Sequence, residues 1–203
     1  MAYLLGLTGN IACGKTTIGQ MLLALGAASY IDADAVVHDL YEPGQSVHAA
    51  IIQHFGPSVV TETGTIDRAA LGAIVFADPE RLRLLESLTH PAVNVAIAER
   101  LAQVPADKVA VIDAVKLLEG GMGRLCNAVW LVTCDPTEQR RRLIEERHMT
   151  AAEADARLAA QPDNAQRRAL VSTVIDNSGT RDATRQQIDT AWARFMASVT
   201  TTR

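Results

Sequence analysis

The residues that most constrain the fold of this chain are Gly9–Thr16, which have two glycines five positions apart followed by lysine and threonine. A short apolar run, Tyr3–Thr8, precedes them, and apolar residues recur at helical spacing from Ile18 to Leu25. A strand, a glycine-containing loop and a helix in this order form a phosphate-binding loop, because backbone N–H groups and the helix N-terminus face the anion. The sequence therefore predicts binding of a polyphosphate; the alternative is a glycine turn that matches by chance.

Residue types within this phosphate loop, Gly9–Thr16, predict individual roles. Lys15 is expected to reach the β- and γ-phosphates, and Thr16 is expected to bind Mg²⁺. Cys13 is expected to be a small filler and not a nucleophile. The predicted nucleotide-binding residues of this region are Asn10, Ile11, Ala12, Cys13, Gly14, Lys15, Thr16 and Thr17.

Composition excludes several other classes of protein. The chain has 203 residues, is 48% apolar and has a net charge of −4, which favours one α/β domain with helical insertions and argues against nucleic-acid or anionic-membrane partners. It has neither an apolar run of about 18 residues nor a basic leader, so we expect a cytoplasmic protein. Its cysteines, Cys13, Cys126 and Cys134, lack paired spacing and predict neither a disulfide framework nor a zinc site.

Two acids follow the second predicted strand. Ser29–Ile31 leads directly into Asp32 and Asp34, and ligands of open α/β sheets bind at the carboxyl ends of the strands. Asp34 is also a possible N-cap of the helix that follows. The cap and the chemical role do not exclude each other.

The remaining strands and the long middle segment are also visible in the sequence. Val109–Asp113 is a buried strand that ends on an acid, and such an acid can bind the Mg²⁺ of a nucleotide. Val129–Thr133 and Val174–Asp176 are predicted as the fourth and fifth strands. Residues 35–103 have no strong strand pattern and are predicted to be helices and loops, including a helix that starts at Asp78 and Pro79.

An arginine-rich helix follows the fourth strand, with Asp135 as its predicted N-cap. It carries Arg140, Arg141, Arg142 and Arg147, which form either a solvated face or the phosphate clamps of a mobile lid. His148 and Met149 are expected to break the helix, and Thr150–Glu153 is a capping box for the next one, predicted to end at Gln161. The last helix is predicted over 182–196, with a frayed polar tail at 200–203.

Several short motifs follow one another along the chain: Leu7–Thr16, Ile31–Asp34, Glu42–Gly44, Phe55–Gly56, Gly64–Arg68, Val75–Phe76, His90–Pro91 and Val174–Gly179. Their order resembles the dephospho-CoA kinase family. This resemblance implies an α/β, three-layer P-loop kinase fold, with a five-stranded parallel sheet of order 2-3-1-4-5, a helical substrate-binding insertion and a helical lid. It also implies a single domain with core 1–34, 104–139 and 166–203, insertion 35–103 and lid 140–165.

The resemblance further implies phosphorylation of the ribose 3′-hydroxyl of dephospho-CoA by ATP and Mg²⁺. The implied catalytic residues are Asp34, which accepts the proton, Lys15 and Arg142. The implied nucleotide ligands beyond the loop are Arg142, Arg147 and Asn177, the acceptor ligands are Asp32, Asp34, Arg68, His90 and Glu119, and the metal ligands are Thr16 and Asp113. A monomer is expected, with a small homo-oligomer as the alternative.

Some positions and some functions remain open. By residue type alone, His90 is a packed or hydrogen-bonding histidine and Arg68 a surface charge. The family usually has Pro-Leu where this chain has Val115 and Lys116, and Lys116 is either a solvent-facing lysine or a substrate contact. The alternative functions are another small-molecule kinase and a nucleotide-dependent regulator; the guanine-binding Asn-Lys-x-Asp motif of many regulators is absent from the sequence.

Overall fold

The computed structural model describes residues 2–201 and contains one five-stranded parallel sheet. The strand order β2-β3-β1-β4-β5 and the three-layer α/β class are as predicted, and β3 has the predicted bounds. The strands are β1 (Tyr3–Gly9), β2 (Ser29–Asp32), β3 (Val109–Asp113), β4 (Ala128–Thr133) and β5 (Thr173–Asp176).

Nine helices occur within residues 2–201, and their bounds follow the chain in order. They are α1 (Lys15–Ala24), α2 (Ala33–Leu40), α3 (Ser46–Phe55), α4 (Arg68–Ala77), α5 (Pro79–Ala102), α6 (Pro136–Glu145), α7 (Ala151–Ala159), α8 (Asn164–Arg168) and α9 (Arg181–Thr201). Two short 3₁₀ turns lie at Pro57–Val59 and Met122–Leu125. Among these described helices, none is both long and apolar enough to cross a membrane.

The described chain divides into two compact units. The nucleotide unit comprises the residues up to Ile31 and those from Val104 onward, and the helical unit comprises Asp32–Gln103. In the nucleotide unit, alternate residues of β1, β3 and β4 belong to one buried cluster with residues of α1 and α9, as expected for one face of a pleated sheet. That cluster includes Leu5, Leu7, Leu22, Val109, Val111, Trp130, Val132, Trp192 and Phe195.

The helical unit has its own core, in which Val47 and Ile51 of α3 pack with Leu71 and Val75 of α4. Three of its four helices start at acidic caps, because the carboxylate accepts backbone N–H groups that have no partner within the helix. The side chains of Asp32, Asp67 and Asp78 cap α2, α4 and α5. The predicted start of α5 is therefore confirmed.

Several helix ends differ from the sequence-based expectation. The caps at Asp135 and at Thr150 with Glu153 are confirmed, and His148 has a left-handed φ of 55° at the predicted break. α7 ends at Ala159 and not at Gln161, because the residue before a proline is disfavoured in a helix. α9 extends to Thr201, beyond the predicted end at 196; of the predicted frayed tail, residues 200 and 201 are helical and 202–203 lie outside the described residues.

Candidate active site

The phosphate loop connects β1 to α1 and depends on both of its glycines. A Cβ atom at Gly14 would meet the side-chain nitrogen of Asn177, and one at Gly9 would meet the carbonyl oxygen of Val132. Gly14 also has a φ of 92°, a left-handed conformation that strains other residues. The loop is therefore held close to the first turn of α1. The N–H groups of this turn have no acceptor within the helix and can face an anion.

Side chains from outside the loop fix its first half. Gln139 Nε2 donates to the carbonyl oxygen of Ile11 at 2.6 Å, and the N–H of Ile11 donates to Gln161 Oε1 at 3.0 Å. Asn10 Nδ2 donates to the carbonyl oxygen of Pro162 at 3.2 Å. Both backbone polar groups of Ile11 are thus bonded to side chains of the segment 139–161.

The second half of the loop is fixed by Arg142 and Asn177. Arg142 donates to the carbonyl oxygens of Ala12 at 3.2 Å and of Asn177 at 3.0 Å. Asn177 Nδ2 donates to the carbonyl oxygen of Cys13 at 2.9 Å, and Thr184 donates to its Oδ1 at 2.9 Å. The side chain of Arg142 is only 17% exposed, so the solvated-face interpretation is wrong for this arginine.

A small apolar cluster supports the same arrangement. Ala12 of the loop is buried with Leu143 of α6 and Ala154 of α7. Ala12 has a φ of 57°, an uncommon conformation for a residue other than glycine. Packing and hydrogen bonds therefore both join the loop to the arginine-bearing segment.

A cavity of about 380 Å³ opens beside the loop. Seven of the predicted nucleotide-binding residues line it: Ala12, Gly14, Thr16, Thr17, Arg142, Arg147 and Asn177. Further lining residues include Arg181 and Glu138. Four arginines, Arg141, Arg142, Arg147 and Arg181, line the cavity around a helix N-terminus and make it suitable for a polyphosphate.

Glu138 is the acid that organises the arginines of α6. It accepts hydrogen bonds from Arg141 at 2.8 Å and from Arg142 at 2.9 Å. The bond from Arg141, and then that from Arg142, lower the pKa of Glu138 to about 2. Arg140 instead pairs with Asp155 of α7. Arg141 and Arg142 thus share Glu138, Arg140 pairs elsewhere, and among the four predicted arginines Arg142 is the one that bonds to the loop.

Lys15 and Asp113 lie together at the carboxyl end of β1 and β3. Lys15 Nζ is 3.9 Å from Asp113 Oδ1, and their side chains are 12% and 5% exposed. The hydroxyl of Tyr30 donates to Asp113 Oδ2 at 2.6 Å. The predicted phosphate-binding lysine and the predicted metal-binding acid are therefore neighbours.

The oxygen ligands that Mg²⁺ prefers are present in the nucleotide unit. Thr16 provides a hydroxyl that lines the cavity, and Asp113 provides a buried carboxylate. Within residues 2–201 no group of three His, Cys, Asp or Glu side chains could bind a metal ion alone. This set fits Mg²⁺, which commonly binds through one or two protein groups and the phosphates of its nucleotide.

Glu119 is held by Arg167, a residue that the sequence analysis did not identify. Arg167 is 3% exposed and donates to Glu119 Oε1 at 2.7 Å, to the carbonyl oxygen of Val115 at 2.7 Å and to Asn10 Oδ1 at 3.1 Å. Burial alone raises the pKa of Glu119, but a backbone hydrogen bond and Arg167 outweigh it and lower the pKa. The guanidinium of Arg167 thus bonds both to the phosphate loop and to the segment that follows β3.

Val115, which stands where the family usually has proline, still provides a backbone carbonyl oxygen that accepts hydrogen bonds. The carbonyl oxygen of Val115 accepts from Thr8 Oγ1 at 3.0 Å as well as from Arg167. A proline at this position would offer the same carbonyl, so these two bonds do not require it. Lys116 is exposed, and its two interpretations remain predictions.

In the helical unit, the residue that caps α2 is Asp32 and not Asp34. Asp32 Oδ1 accepts the N–H groups of Asp34 at 2.9 Å and of Ala35 at 3.1 Å, so Asp32 is the N-cap of α2. The suggestion that Asp34 caps the helix is therefore wrong. Its exposed side chain lies in the first turn.

The other two predicted acceptor ligands, Arg68 and His90, are exposed residues of α4 and α5. His90 is thus not a packed histidine, and Arg68 lies near enough to Tyr41 to lower its pKa against the larger, opposing effect of burial. Their predicted contacts with the acceptor remain predictions.

Cys13 is 1% exposed, and burial raises its pKa to about 11, with Lys15 acting weakly in the opposite direction. A thiol needs a low pKa to act as a nucleophile at neutral pH. The side chain is therefore suited to filling space, as the sequence analysis expected.

Sequence reasoning missed three positioning side chains: Tyr30, Gln139 and Arg167. Gln139 and Arg167 are 5% and 3% exposed, although their residue types are usually exposed. No local sequence pattern identifies them, because their hydrogen-bond partners are distant in sequence. The partners of Arg167 are 48 to 157 positions away, and that of Gln139 is 128 positions away. Only the tertiary fold brings these groups together.

The sheet order, the phosphate loop and the arginines beside it define a P-loop kinase. The profile of the dephospho-CoA kinase family matches residues 3–182. A dephospho-CoA kinase from Symbiobacterium thermophilum is 44% identical over 93% of this chain and 80% of its own length. The chain therefore belongs to the dephospho-CoA kinase family.

Two further comparisons agree in fold and length. A dephospho-CoA kinase from Leifsonia xyli subsp. xyli is 40% identical over 94% of this chain and 97% of its own length. The crystal structure of TT1252 from Thermus thermophilus is 28% identical, with a TM-score of 0.85 over 95% of this chain and 97% of that structure. Family membership also implies the use of ATP.

Proposed function

We propose that this chain transfers the γ-phosphoryl group of ATP to the ribose 3′-hydroxyl of dephospho-CoA, giving CoA and ADP in the last step of coenzyme A biosynthesis. The observation that carries the proposal is the family match over residues 3–182, which includes an intact phosphate loop. The fixed loop and the arginine-lined cavity support the same reaction. Phosphoryl transfer needs alignment and charge neutralisation more than covalent chemistry.

On the nucleotide side, Lys15 and Arg142 neutralise the phosphates, and Arg147 adds a second guanidinium. The loop residues from Asn10 to Thr17 shape the site, and Asn177 keeps the loop in place. Thr16 and Asp113 would bind Mg²⁺, which supplies further charge neutralisation when bound. ATP must compete with Glu138 for Arg142, because Glu138 accepts the Nε–H of this arginine.

On the acceptor side, Asp34 accepts the proton of the attacking hydroxyl, and Asp32 positions it by capping the turn that contains Asp34. This assignment is supported by the exposed side chain of Asp34 and by its place three residues after Ile31 of β2. Arg68, His90 and Glu119 bind dephospho-CoA.

The same proposal includes the organisation of the chain. Residues 1–34, 104–139 and 166–203 form the core of a single kinase domain, 35–103 form the acceptor-binding insertion and 140–165 form the lid. The protein acts as a monomer in the cytoplasm, where ATP is available, and binds neither nucleic acid nor membrane.

The test is incubation of the purified protein with ATP, Mg²⁺ and dephospho-CoA, with CoA and ADP measured by chromatography. Parallel reactions contain adenosine or gluconate as the alcohol, and Lys15→Ala is the control for contaminating kinases. We expect CoA and ADP in equal amounts with dephospho-CoA alone. Transfer to another alcohol only would indicate a different small-molecule kinase, and ATP binding with no transfer would indicate a regulator.

A further inference from the structure

Tyr30 is the residue whose contacts with the candidate metal site have no assigned purpose. It lies on β2, next to β3 in the sheet, and its hydroxyl donates to Asp113 Oδ2 at 2.6 Å. The other oxygen of this carboxylate, Oδ1, is 3.9 Å from Lys15 Nζ. Two different side chains therefore face the two oxygens of Asp113 and fix the rotation of its carboxylate.

The hydrogen bond is of the strong type. A distance of 2.6 Å lies within the range of about 2.5–2.7 Å for a hydroxyl that donates to a carboxylate. Asp113 is 4% exposed, so water competes poorly with the phenol for this oxygen. The bond therefore orients Asp113 before any ligand arrives.

The position of the Tyr30 ring depends on Gly19 of α1. A Cβ atom at position 19 would meet three ring atoms of Tyr30, with Cζ at 2.8 Å and the other two closer. Gly19 is not at positive φ, so its backbone conformation does not require glycine. Glycine within a helix destabilises the helix by about 0.5–1 kcal/mol relative to alanine. Here the absence of a side chain leaves the space that the Tyr30 ring occupies.

We propose that Tyr30 is a positioning residue for Asp113, and that Gly19 makes this position available to it. By binding Oδ2, Tyr30 fixes the carboxylate with Oδ1 beside Lys15, and Asp113 in this orientation would help to hold the Mg²⁺ of the nucleotide. This inference rests on the proposed metal role of Asp113. Removal of a hydrogen bond to a metal-binding group typically costs about 10–100-fold in metal affinity or activity.

The test compares Tyr30→Phe, which keeps the ring and removes the hydroxyl, with Tyr3→Phe. Tyr3 is a matched control because it lies on β1 and packs, half-buried, against the same core cluster as Tyr30. Binding of Mn²⁺ to the ADP complex is measured by electron paramagnetic resonance, and the Mg²⁺ dependence of turnover is measured in parallel. We expect Tyr30→Phe to weaken Mn²⁺ binding and raise the Mg²⁺ requirement about tenfold, with little change in the KM for dephospho-CoA.

Gly19→Ala provides a second test through a double-mutant cycle. Displacing the ring should weaken Mn²⁺ binding in the chain that has Tyr30, and it should add no further weakening to Tyr30→Phe. A merely structural effect would lower the melting temperature of both backgrounds and leave Mn²⁺ affinity unchanged.

Asp113→Asn separates this inference from the proposed function. If Asp113→Asn weakens Mn²⁺ binding and Tyr30→Phe does not, the positioning role of Tyr30 is overturned and the metal role of Asp113 stands. If Asp113→Asn binds Mn²⁺ as the unmodified protein does, the metal role is overturned and the inference with it. Equal effects of Tyr30→Phe and Tyr3→Phe would also overturn the inference.

Discussion

The nucleotide unit and the helical unit prepare their candidate residues in different ways. In the nucleotide unit, Arg142, Asn177 and Lys15 are largely buried and bonded to the loop or to Asp113. In the helical unit, Asp34 and His90 are exposed, and no hydrogen bond or ion pair connects their side chains to other described residues.

This difference shows which side chains are already fixed in position before the substrates bind. Fixed donors stabilise developing charge without having to reorganise, which is the main requirement for phosphate groups. Exposed side chains can instead adjust to a large acceptor and lose their freedom only on binding. We therefore expect substitutions in the nucleotide unit to affect the folded protein itself, and those of the exposed residues in the helical unit to appear only in turnover.

The substitution Asp34→Asn is expected to have the largest effect on turnover. The fold should survive because Asp32 caps α2, while loss of the proton acceptor should lower turnover by about 10²–10⁴. Nucleotide affinity should change little. CoA formation and ATP binding are measured on the same preparation, with Asp39→Asn on α2 as the control; normal turnover of Asp34→Asn would leave no chemical role for this acid.

Replacement of Lys15 by alanine tests the fixed side of the comparison. Removal of one preorganised charge typically lowers turnover by about 10²–10³. Because Lys15 is close to Asp113, the melting temperature should also change, unlike that of Asp34→Asn. Steady-state kinetics and thermal unfolding check both expectations, and near-normal turnover in a folded Lys15→Ala protein would exclude the loop from the mechanism.

Arg142→Lys is a finer test of the contacts around the loop. Lysine keeps the charge but cannot bond at once to Ala12, Asn177 and Glu138, so turnover should fall by roughly 10–100-fold, the equivalent of about one bond to a charged group. Arg140→Lys on the same helix is the control, because Arg140 pairs with Asp155 away from the loop. Similar turnover of the two variants would contradict the assigned role.

The smallest effect is expected for Glu119→Gln, and it should depend on pH. The folded pKa of Glu119 lies below its ordinary value of 4.5, so its charge stabilises the fold above that pH and the stabilisation is lost as the pH falls through the folded pKa. Since Glu119 is 45% exposed, we expect only about 1 kcal/mol at neutral pH. Urea unfolding of both proteins over a pH series measures the difference, which should disappear in acid; a constant difference would show that the charge is not responsible.

Local patterns were sufficient to predict the sheet and many helix starts. An apolar run that ends on Asp113 marks a buried strand, and Asp78, Asp135 and Thr150 have short side chains that bond to N–H groups two or three residues away. The strand order required the family resemblance, since several orders suit the same strands.

The connections around the loop were not predictable in this way. Arg167 resembles any surface arginine until the fold brings Glu119 and Asn10 to it. Asp34 was considered as a cap because both acids precede the same helix, and only the backbone geometry assigns that role to Asp32. The presence of a local cap is therefore predicted more readily than the residue that forms it, and contacts between distant segments are not predicted.

The burial of Cys13 has a consequence for the protein under oxidative stress. Burial raises the pKa of this thiol to about 11 and leaves it 1% exposed, so at neutral pH it is almost entirely protonated, whereas oxidants and alkylating agents react with the thiolate. The sulfur lies inside the loop that is proposed to bind ATP. Coenzyme A is itself a thiol, and the loop proposed to serve its synthesis contains a thiol that should stay reduced when exposed thiols are oxidised.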